Sequence, residues 1–100
     1  VLGSGPWFSL TAVLLLVLSG CGPVRYGLEI ATAERVVAAA RTENASYYAP
    51  YELYFAEAHL AKAHEEAAEG QYEDAINALT VAVAYGRRAL TRSAQPGAFR

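Results

Sequence analysis

The chain holds one cysteine, Cys21, and it follows the apolar run WFSLTAVLLLVL that extends from Trp7 to Leu18. A lone thiol cannot close an intrachain disulfide, and no neighbouring histidine is placed to activate this one for catalysis. His59 and His64, with Glu65 and Glu66 beside them, raise the question of a metal site. On a helix their five-residue separation turns one ring about 140° away from the other, so the two cannot share an ion. The zincin pattern His-Glu-x-x-His also fails, because position 68 is alanine. Lys62 and Glu66 read instead as an i,i+4 surface pair. Ser46 and Ser93 sit in no Gly-x-Ser-x-Gly context, and there is no glycine-rich phosphate loop. These residues nominate no catalytic group, no metal ligand and no cofactor.

Two clusters could make contacts. Tyr47, Tyr48, Tyr51 and Tyr54 form the densest aromatic group. They either cap the end of an alanine-rich helical core, form a contact surface, or stack on a sugar. Tyrosine brings large rigid area and a polar tip to an interface. Arg87, Arg88 and Arg92 either answer the dipole at a helix C-terminus or bind acidic headgroups or cell-wall carboxylates. The net charge of −2 gives no electrostatic case for nucleic-acid binding, which wants a basic patch or stripe.

The elements that must position these groups divide sharply. Residues 1–24 carry no charged side chain, and every charged group lies from Arg25 onward. The apolar run is shorter than the ~20 residues a bilayer requires and suits the hydrophobic region of an export signal. Leu18-Ser19-Gly20-Cys21 resembles the lipobox of bacterial lipoproteins. That resemblance implies cleavage before Cys21, a diacylglycerol on its thiol, and acylation of the new amino terminus. The small Ser19 and Gly20 would open the backbone to the peptidase. The basic segment that normally begins such a signal is missing, as expected if the start has been trimmed. The competing reading is an uncleaved anchor with an incidental cysteine. Gly22, where an aspartate would signal inner-membrane retention, resembles the outer-membrane default with the protein facing the periplasm. In a host without an outer membrane, the exterior of the cell membrane takes its place.

From residue 26 the period is helical throughout. A helix is expected over Tyr26 to Thr42, with Ile30, Ala33, Val37 and Ala40 on one face. Glu43 to Ser46 breaks it. Pro50 opens a second helix with Leu53, Ala56, Leu60, Ala63 and Ala67 inward, and Glu52, His59, Lys62, Glu66 and Glu69 outward. Gly70 ends that helix, and a third begins near Tyr72 with Ile76, Leu79, Val83, Gly86 and Leu90 inward. The short Glu69-Gly70-Gln71 link makes the last two antiparallel. The fold expected is all-α: a helical hairpin plus one further helix, forming a three-helix bundle preceded by a signal peptide. Its parts are a signal peptide (1–20), a lipidated anchor and short linker (21–25), the helical domain (26–92) and a flexible tail (93–100). Alanines at the inward positions bury little area, so the core is thin and partner support or self-association is expected.

Gly70-Gln71-Tyr72-Glu73-Asp74-Ala75-Ile76, with Leu79 and Ala82, resembles the second helix of a tetratricopeptide repeat. Lys62 and Glu66 depart from the repeat's first helix, and one repeat cannot build a solenoid. A wider resemblance rests on Tyr48-Ala49-Pro50-Tyr51-Glu52-Leu53, then Ala56, Leu60 and Ala63, then Tyr72 and Ala75. This order is similar to a bacterial family of small alanine-rich helical lipoproteins with no assigned catalytic residues. Some members of that family carry a peptidoglycan-binding domain; nothing here matches one, and that activity is not carried over. The function expected is a non-enzymatic, lipid-anchored interaction or scaffolding module, attached to the membrane through Cys21. An envelope protein or a second copy would be its partner. The alternative is a helical lipoprotein holding a small hydrophobic or anionic ligand.

Overall fold

The computed structural model describes residues 5–19 and 21–95, and every regular element among them is a helix. These are α1 (Gly5–Ser19), α2 (Cys21–Thr42), α3 (Ala45–Tyr48), α4 (Pro50–Ala68) and α5 (Tyr72–Ala94). The chain is therefore all-α. Gly20, the last residue of the expected cleavage site, and positions 96–100 of the expected tail lie outside the described residues.

Three boundaries differ from the sequence reading. The first long helix starts at Cys21 rather than near Tyr26, so residues expected as a linker are helical. Pro23 falls in its first turn, where the missing N–H would have had no intrahelical acceptor. The break after Thr42 is shorter than expected. Asn44 takes a left-handed conformation (φ 63°), and the four-residue α3 follows at once with Ala45 fully buried. Asparagine tolerates this region better than most residues. At the other end α5 runs on to Ala94, with Ser93 buried, so the expected tail starts too early.

Gly70 (φ +77°) closes α4 as the sequence led one to expect. Its N–H donates to the Ala67 carbonyl at 3.0 Å, and that of Gln71 donates to Glu66 at 2.8 Å. This double bond pattern is a Schellman turn, and it sends α5 back along α4. Helix α2 runs alongside α5 in the same direction: Gly22 lies against Tyr72, and Val36 lies against Gly86.

Two apolar clusters hold the helices together. Val37, Ala40, Ala45, Ala49, Leu53, Ala56 and Ala89 form one, towards the end where α3 sits. Ala33, Ala63, Ala75, Ala78 and Leu79 form the other, towards the Gly70 turn. Most of these side chains are alanine, and only Leu79 and Val37 are large and fully buried. Stability thus comes from close backbone approach and dispersion more than from apolar area. By contrast Trp7, Phe8, Leu10, Val13, Leu14 and Leu15 of α1 are all exposed. No helix among the described residues is long and apolar enough to cross a membrane.

Candidate interaction surface

The break at Asn44 and Pro50 at the start of α4 put the four tyrosines at one end of the molecule. Three of them stand largely in solvent. Tyr47, Tyr51 and Tyr54 are 77%, 61% and 72% exposed, and Tyr48 is at 36%. For Tyr47, Tyr51 and Tyr54 this exposure weighs against a cap over the alanine core and towards a contact surface. Ala45, Ala49 and Leu53 close that end of the core, and the rings project from it. Tyr47 and Tyr48 pack edge to face at 5.0 Å, while Tyr51 turns towards α5.

Tyr51 begins an aromatic stripe that counting tyrosines alone had missed. Phe55 lies 5.8 Å from Tyr51, and His59 lies 4.5 Å from Phe55, each one turn further along α4. Tyr85 of α5 completes the stripe, 4.3 Å from Phe55 and 6.4 Å from Tyr51. The i,i+4 spacing of Tyr51, Phe55 and His59 was the available signal. His59 is thus half-buried among rings rather than on the solvent flank, and its Nδ1 lies 2.9 Å from the Phe55 carbonyl oxygen. His64 lies 3.5 Å from Glu34 of α2 instead. Among the described residues no three His, Cys, Asp or Glu side chains gather as a metal site.

Beside the stripe, Arg87, Arg88, Thr91 and Arg92 of α5 line an open groove with Glu52 of α4. Arg92 is paired with Glu52, whose side chain is only 13% exposed. Glu52 therefore does not face solvent as the periodicity implied; it joins the ends of α4 and α5. Arg88 lies over the Tyr85 ring, 4.5 Å from its centre, in a cation–π contact. Among the described residues, no ion pair holds Arg87 or Arg88. Lys62 and Glu66 do pair, at 2.9 Å.

Cys21 occupies the other end. It is exposed, forms no disulfide, and lies with Gly22, Arg25, Tyr72 and Glu73 around a shallow surface groove. Leu18 and Ser19 belong to the last turn of α1. The tyrosines and Cys21 are thus separated by the length of α2, which at 22 residues is about 33 Å.

The family described as a domain of unknown function (DUF4398) matches residues 28–97. The chain belongs to that family. The matched segment takes in most of α2, all of α3 to α5, the tyrosine end and the arginine groove; Cys21 and α1 precede it. No curated protein and no solved structure matches the chain.

Proposed function

We propose that this protein is a lipid-anchored, non-enzymatic interaction module whose tyrosine-rich end binds an envelope protein. In this reading residues 1–20 are a signal peptide, Cys21 carries the lipid, and α2, α4 and α5 form a three-helix bundle on the periplasmic face of the outer membrane. The observation that carries the reading is the exposure of Tyr47, Tyr51 and Tyr54 on a helical scaffold. Large aromatic side chains held in water on ordered helices are the typical anchors of protein interfaces.

The anchor reading draws support from α1. Six of its large apolar side chains face water, which suits a segment that a membrane takes up or a peptidase removes. A thiol-linked diacylglycerol gives two acyl chains, enough for stable attachment at roughly 0.8 kcal/mol per buried methylene. The ligand-binding alternative loses ground to the close contact of α2 with α5 at Gly86, which fills the space between these helices.

The tyrosine assignment is tested by the double substitution Tyr51→Ala/Tyr54→Ala in the full chain. Circular dichroism should retain the helical signal, while in-cell cross-links to the partner fall at least about tenfold, as for loss of two interface anchors. An unfolded double variant would place the rings in the core after all. An unchanged cross-link pattern would remove them from the interface.

A further inference from the structure

Of the two readings open for Arg87, Arg88 and Arg92, the helix dipole covers only one of these residues. Helix α5 continues to Ala94, so its last turn contains Arg92 but neither Arg87 nor Arg88. The dipole effect fades beyond the terminal turn. Arg92 is further accounted for by Glu52. This leaves two guanidinium groups in one groove, unpaired among the described residues, on a chain whose net charge is −2.

The groove has what a carboxylate-bearing occupant needs. Arg88 is steadied over Tyr85, so its planar fork loses less freedom on pairing. Arg87 lies one residue away and lines the same groove. Tyr51, packed edge-on to Tyr85, extends the site with an exposed ring. Arginine and tyrosine together are the residues that most often dominate binding energy at protein interfaces.

We propose that this groove receives an acidic segment of a protein partner, with carboxylates paired to Arg87 and Arg88 and apolar contact against Tyr51 and Tyr85. The proposal rests on the interaction-module reading and names the chemistry of its partner. Phospholipid headgroups are the lesser fit. Tyr72 lies against Gly22, beside Cys21, and Arg87 is fifteen residues further along α5. An upright molecule therefore holds the groove about 22 Å from the anchored end.

The test uses the full chain in detergent micelles and three probes. They are a fluorescein-labelled decapeptide of alternating glutamate and serine, its glutamine counterpart, and vesicles containing phosphatidylglycerol. The glutamate peptide should bind at least about tenfold more tightly than the glutamine one, as charge-assisted bidentate pairing implies. Arg87→Glu/Arg88→Glu should weaken it by a similar factor, whereas Arg25→Glu/Arg35→Glu, the same charge change on α2, should leave it within about twofold. If the first double variant loses its helical circular dichroism, Arg87→Gln/Arg88→Gln replaces it. Equal weakening by both pairs would reduce the effect to net charge and overturn the proposal. So would failure of the glutamate peptide to bind, or preferential binding of the vesicles through Arg87 and Arg88. If Tyr51→Ala/Tyr54→Ala abolishes the partner cross-link while Arg87→Glu/Arg88→Glu preserves it, the interaction module stands and the acidic-segment proposal fails.

Discussion

At the scale of single residues, Tyr26 ties the amino-terminal part of α2 to α5 and leaves a measurable trace. Its ring lies 5.9 Å from that of Tyr72. Burial, and then the negative charge of Glu34 and the neighbouring Tyr72, raise its phenol above the ordinary value of 10.0. Lys62 is also raised, chiefly by its hydrogen bond to Glu66 and that carboxylate's charge; being exposed, it adds little to stability. Both groups hold their protons more tightly in the folded state. Their contribution is therefore complete below the unfolded values near pH 10 and is lost as the pH rises through the folded ones. The urea midpoint should fall as the pH rises above about 10. Tyr26→Phe, which has no phenol to ionise, should flatten that fall; superimposable profiles for the two proteins would show that Tyr26 does not contribute. Other residue-level features were plain in the sequence. The Lys62–Glu66 pair, the Gly70 turn and the divergence of His59 from His64 follow from helical geometry alone.

At the scale of elements, α5 shows both what the sequence discloses and what it conceals. Hydrophobic period placed Ile76, Leu79, Val83, Gly86 and Leu90 inward, and of these Val83 and Leu90 are only partly buried. The buried line instead runs Ala75, Leu79, Ala82, Gly86, Ala89 and Ser93. The offset has a physical cause. Helix α5 packs against both α2 and α4, so the smallest side chains lie where backbones approach and the larger ones flank them. Alanine carries a weak hydrophobic signal, so a count weighted to large residues drifts to the edge of the buried arc. The aromatic stripe was missed for a related reason. Tyr85 reaches Phe55 only through the pairing of α4 with α5, which is a tertiary fact. The closest approach is testable: a Cβ on Gly86 would come within 2.7 Å of Val36 Cγ1. Gly86→Ala should lower stability by about 1–2 kcal/mol, because overpacking outweighs the helix propensity that alanine gains. Adding Val36→Ala should recover part of the loss, since it removes the clashing methyl groups. A Gly86→Ala protein that melts higher than the parent would refute the tight crossing.

At the scale of the whole molecule, the arrangement has two ends with different chemistry. Cys21 starts α2 at one end, and the exposed tyrosines and the arginine groove occupy the other. A thin alanine core joins them. The sequence disclosed the all-α class, the three long helices and the residues at both ends. It could not disclose that Tyr47, Tyr51 and Tyr54 stand largely in solvent, because exposure depends on where α3 and the start of α4 come to rest. In the proposed reading Cys21 tethers this scaffold to a membrane and the far end does the binding. The most direct measurement is intact mass spectrometry of the tagged chain purified from cells, with a photo-cross-linking residue at Tyr54 or, separately, at Gln71 near the Cys21 end. The expected result is a mature chain that begins at a lipid-modified Cys21, with a defined protein adduct from position 54 and none from position 71. A chain that retains Trp7 and the rest of α1, or adducts from position 71 alone, would contradict it.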